Sequence, residues 1–128
     1  MEIIRTPIAE ISFNKNDGIL NIKLVDGAEM SLENAKIQYE KINALLGGAK
    51  HLALVDASNY YTVERKAWAY ASQKEIFSNR MAVAHFNSSA ANKLTTSFFK
   101  TACDSAMPMQ TFNMREQAVK WLKSFSLE

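Results

Sequence analysis

Three strand-sized apolar runs, spaced by segments of helical period, constrain this chain more than any other feature. They are His51 to Val55, Arg80 to Phe86 with Met81-Ala82-Val83-Ala84 at its centre, and Met109 to Phe112. Short apolar runs bounded by turn chemistry suit strands buried on both faces of a sheet. Strands joined through single helices run parallel, with right-handed crossovers.

The segments between the runs carry helix signals. Ser31 is placed to cap a helix from Leu32, and Ala35, Tyr39, Ile42 and Leu46 share one face of it. Gly47-Gly48 stops that helix, because glycine takes the left-handed conformation a helix end needs. Asp56-Ala57-Ser58-Asn59-Tyr60-Tyr61 reads as a loop. Thr62 then caps a second helix with Glu64 in its first turn and Val63, Ala67, Tyr70, Ala71 and Phe77 on one side. Ser88 caps a third helix bearing Ala91, Leu94, Phe98 and Ala102, and Met107-Pro108 closes that connection. Asn113 followed by Glu116 has capping-box spacing. The final helix then carries Met114, Ala118, Trp121, Leu122 and Phe125 as its apolar stripe.

Ahead of these elements, Ile8 to Asn14 alternates with Ile11 and Phe13 on one face, and Ile19 to Leu24 alternates through Leu20, Ile22 and Leu24. Asn16-Asp17-Gly18 joins them as an antiparallel hairpin, and Asp26-Gly27 breaks the second strand. The expected order is β-β-α-β-α-β-α-β-α. It gives an α/β fold with residues 1–128 as one domain, a mixed sheet of about five strands covered by four helices.

Composition agrees. A chain of 128 residues, 48% hydrophobic and 22% charged, holds a core without a metal or disulfide staple. Its single cysteine, Cys103, forms no intrachain disulfide and no Cys-based zinc site, which fits a reducing, cytoplasmic setting. The first residues have an acid at position 2 and no apolar h-region, unlike a signal peptide. No apolar run approaches the length of an integral membrane segment. The net charge is +2, with Lys and Arg mixed among acids, so no basic stripe marks a nucleic-acid partner.

This order, and several local patterns, resemble the SpoIIAA-like fold of the STAS domains, in particular a short uncharacterised branch of that superfamily. The resemblance runs from about Ile11 to Phe125. It is most specific at Ala91-Asn92, Phe98-Phe99-Lys100, Met107-Pro108, Thr111-Phe112 and Ala118-Val119-Lys120-Trp121-Leu122. The hairpin at Gly18, the Gly27 loop and Leu54-Val55-Asp56 also fit. The resemblance implies a regulatory interaction module. It also brings in a related lipid-carrier fold that binds apolar ligands. Phospho-switched members place Asp-Ser-Ser-Gly before the helix after the central strand. This chain has Asp56-Ala57-Ser58-Asn59 there, so no phosphoserine is carried over to Ser58.

In parallel sheets, ligands sit outside the carboxyl ends of the strands. Asp56, Ser58, Asn59, Tyr60, Tyr61, His85, Asn87, Ser88 and Ser89 fall at those ends, with Trp68 on the helix that follows. Aromatic side chains off the core stripe favour a contact surface. The bland alternative is that Thr62, Ser88 and Asn113 are caps and the aromatics are packing. No catalytic constellation is found. Ser58 or Ser88 with His85 and Asp56 lacks a nucleophile elbow. Cys103 lies towards a helix C-terminus, where the dipole raises a thiol's pKa. His51 and His85 lack metal-ligand spacing. The reading is a non-enzymatic module for a protein partner or for self-association, with no cofactor. The alternative is a carrier of a small apolar ligand between the sheet and helices, opening near Tyr60, His85 and Phe98.

Overall fold

The computed structural model describes residues 2–71, 79–86, 108–125 and 127, without the side chains of Trp68 and Ala71. The strands are β1 (Ile4–Arg5), β2 (Ala9–Asn14), β3 (Ile19–Leu24), β4 (Ala28–Met30), β5 (His51–Asp56), β6 (Tyr61–Val63), β7 (Arg80–Phe86) and β8 (Met109–Phe112). The helices are α1 (Leu32–Leu46), α2 (Arg65–Ala71) and α3 (Arg115–Leu122). The expected third helix from Ser88 to Ala102, together with Phe77, Cys103 and Met107, lies outside the described residues.

The main sheet has six strands in the order β1-β2-β3-β5-β7-β8. The first three pair antiparallel, and β3, β5, β7 and β8 pair parallel, so the mixed α/β fold of the sequence reading holds. The sheet exceeds five strands because β1 adds an edge of two residues. A separate parallel ribbon joins β4 to β6, Ala28 opposite Tyr61. These elements of two and three residues are too short to leave a period in the sequence.

Side-chain alternation gives the sheet two buried faces. Leu20, Ile22, Ala53, Val55 and Val83 pack with Ile42 and Leu46 of α1. Ile19, Leu52, Leu54, Ala82, Ala84 and Phe86 pack with Ala118 and Leu122 of α3. That double covering is why His51 to Val55 is apolar without alternation. Helix α1 follows the expected chemistry: Ser31 Oγ accepts from Asn34 N at 3.1 Å, and Gly47 closes the helix at φ +59°. Gln38 is also buried on α1, where its Oε1 accepts from Thr6 Oγ1 at 2.7 Å. Tyr39 is half-buried and meets Tyr70 of α2 edge-on at 6.2 Å.

Two expected caps differ. Thr62 lies in β6, exposed, and α2 begins only at Arg65. Glu64 serves the other helix, its Oε1 accepting from Leu32 N at 3.3 Å, where a carboxylate suits the positive end of α1. Val63 accordingly belongs to β6 and not to the stripe of α2. Met114, not Asn113, is the N-cap of α3, without a side-chain capping bond. Met114 is therefore exposed and not part of the core stripe. Trp121 and Phe125 are half-buried, and the Trp121 ring meets Phe112 at a tilt and Phe125 edge-on. No helix among the described residues is long and apolar enough to cross a membrane.

Candidate functional site

The carboxyl ends of β3, β5 and β7 lie side by side, because Lys23 pairs with Asp56 and Asp56 with Phe86. The segment after Asp56 is tied to both neighbours. Asp56 Oδ1 accepts from Ser58 N at 3.1 Å, a local turn of the kind aspartate favours. Ala57 N donates to Phe86 O at 3.0 Å, on the β7 side. Asn59 Nδ2 donates to Leu24 O at 3.0 Å, and Gly27 N to Tyr60 O at 2.8 Å, on the β3 side. The result is a loop fixed across the sheet's edge, with Ser58 exposed and Tyr60 55% exposed at its tip.

Asp56, Ser58, Asn59 and Tyr60 are thus brought together as the sequence reading expects. Tyr61 is not on that surface: it opens β6 and is 7% exposed, packed in the core under α1. Its ring turns inward because β6 pairs with β4 and sends alternate side chains to opposite sides. The side chain of Trp68, and Asn87, Ser88 and Ser89, lie outside the described residues.

His85 is buried. Register puts it beside Val55 on the α1 face, whereas Asp56 pairs with Phe86 of the α3 face. A Ser58-His85-Asp56 relay is therefore not assembled: acid and base leave the sheet on opposite sides. His85 Nδ1 is buried without a hydrogen-bond partner.

Arg80 is the residue that sequence reading passed over. It opens β7 opposite His51, and its Nε donates to His51 Nε2 at 3.2 Å. His51 Nδ1 lies 3.1 Å from Ala49 O and donates to it, so both ring nitrogens are committed in a neutral imidazole. Burial first, and the Arg80 charge second, lower His51 to about 4. The same two causes in the same order lower His85 to about 4. Burial lowers Arg80 to about 10, which leaves it a cation at neutral pH. The available signal was an arginine heading an apolar strand, where a charge needs a reason. Among the described residues no group of three or more His, Cys, Asp and Glu side chains gathers as a metal site.

Residues 13–126 match the family described as Domain of unknown function (DUF7793). The chain belongs to this family. No curated protein matches it. Among solved structures, this DUF7793 member is similar to an uncharacterised protein from the DUF3478 family, with a SpoIIAA-like fold, from Shewanella loihica PV-4. The two share 16% identity with a TM-score of 0.63, over 95% of this chain and 98% of that one. At that identity the likeness speaks for fold alone, and the fold is SpoIIAA-like, as the hairpin and C-terminal patterns imply.

Proposed function

We propose that this chain is a non-enzymatic regulatory or protein-interaction module of the STAS type, a single domain over residues 1–128 that acts in the cytoplasm. Its contact surface is the loop from Asp56 to Tyr60 and the start of α2, and its first partner is a second copy of the chain. The observation that carries the reading is the exposed Tyr60 ring on a loop already fixed by bonds to Leu24, Gly27 and Phe86. An aromatic anchor held before binding loses little conformational freedom on association. The polar groups around it serve turn and loop bonds: Asp56 caps Ser58 N, and Asn59 holds Leu24.

The test is native mass spectrometry of the full chain, purified without added ligand, beside Tyr60→Ala. A ligand-free dimer that Tyr60→Ala weakens supports the reading. A monomer carrying a reproducible small-molecule mass contradicts it and supports the apolar-ligand carrier instead.

A further inference from the structure

The last row of residues on the α3 face of the sheet is continuous with the Tyr60 loop. Register carries one line from strand to strand: Arg5 beside Glu10, Glu10 beside Lys23, and Lys23 beside Asp56. Ile11, Ile22 and Val55, one residue away along β2, β3 and β5, pack towards α1, so alternation sends Glu10, Lys23 and Asp56 to the opposite face. Arg5 joins them there, 3.6 Å from Glu10 in an ion pair. Helix α3 covers this face over β5, β7 and β8. Over β1 to β3 the face is more open: Arg5 and Lys23 are exposed, and Glu10, Ser12 and Asn21 are half-buried.

The signs along this row alternate: cation, anion, cation, anion. Among the described residues, Lys23 and Asp56 enter no ion pair. An alternating row with an even number of charges is its own complement. A two-fold axis that lies between two facing copies and runs along the strands reverses the row. Asp56 of the second copy then stands over Arg5, and its Lys23 over Glu10, and the symmetry repeats both contacts. A slip by one strand sets like charge on like, and so does a two-fold axis laid along the row. The favoured axis also keeps the carboxyl ends of both sheets together, so both Tyr60 loops flank the same rim.

We infer that Arg5, Glu10, Lys23 and Asp56 dock against the same row of a second copy and set the register of a face-to-face dimer. The inference rests on the self-association read from Tyr60, and it adds the orientation of the two copies. Exposed ion pairs are individually worth little, so the loop supplies affinity and the row supplies register. Like charges forced together have the larger effect, and they make the row testable.

The experiment is native mass spectrometry of the full chain as Glu10→Lys and as Lys23→Glu, alone and in equimolar mixture, with one of the two labelled with heavy nitrogen. Each reversal alone sets like charges together twice across the axis and should weaken its own dimer about tenfold. In the mixture every contact between the copies is again of opposite sign, so mixed dimers should form as tightly as the parent's and outnumber like dimers. Sedimentation velocity of the unaltered chain needs no variant to fold: its dimer should loosen as sodium chloride rises. A parent dimer that Tyr60→Ala weakens, but that ignores salt or both folded reversals, overturns the row and leaves the Tyr60 reading standing. A mixture of folded reversals without enriched mixed dimers overturns the row as well. A parent that stays monomeric overturns both.

Discussion

At Gly18 the backbone is left-handed, φ +71°, and Leu127 occupies the space a Cβ would need. Gly18→Ala meets the backbone penalty, about 1–2 kcal/mol, while the end of the flexible Leu127 side chain can turn aside at little further cost. Gly47→Ala, at φ +59° with nothing within 4 Å, meets the same backbone penalty. Urea denaturation of both variants should show losses of similar size, and a Gly18→Ala variant as stable as the parent would contradict the left-handed turn. His85 makes a second prediction at this scale. Its folded pKa, about 4, lies below the ordinary 6.5, so the unfolded chain takes up the proton first as pH falls. The stability tied to neutral His85 is complete above pH 6.5 and is lost progressively towards pH 4. The full loss is about 3 kcal/mol. Urea midpoints should fall through that window, and less steeply in His85→Phe. A flat profile in the parent would contradict the burial of a neutral ring.

Among the elements, the two helices with assigned N-caps respond in opposite ways. Ser31→Ala removes the bond to Asn34 N and should cost about 1 kcal/mol. Met114→Ser supplies α3 with a cap it lacks and should add about 0.5–1 kcal/mol. Thermal unfolding of the two variants reads both signs. These helices also mark what sequence could tell. Ser31, Gly47 and the hairpin at Gly18 were legible because local chemistry alone decides them. So were the runs at His51, Arg80 and Met109, whose burial on both faces leaves an apolar signature. Asn113 and Thr62 misled because a cap residue is recognised by type, while the chain chooses by geometry: Thr62 was drawn into a ribbon with β4. For the same reason Tyr61 read as a loop aromatic and proved to be core. Arg80 was invisible because a single added residue in β7 decides which face it takes.

For the molecule as a whole, neighbouring tyrosines separate stability from association. Tyr61→Ala opens a cavity under α1 and should cost about 2–4 kcal/mol. Tyr60→Ala removes an exposed ring and should leave stability within about 0.5 kcal/mol. Stability at Tyr60 is thereby uncoupled from contact, which makes it the residue on which the interaction reading rests. The carboxyl edge of the sheet presents that ring on a tethered loop, while the α1 face keeps His51 and His85 inside. The decisive measurement is the oligomeric state of the full chain by native mass spectrometry, with Tyr60→Ala beside it. The prediction is a ligand-free dimer in the parent and a markedly weaker one in the variant, at unchanged stability. A parent that stays monomeric, or a dimer indifferent to Tyr60→Ala, would contradict self-association through this loop.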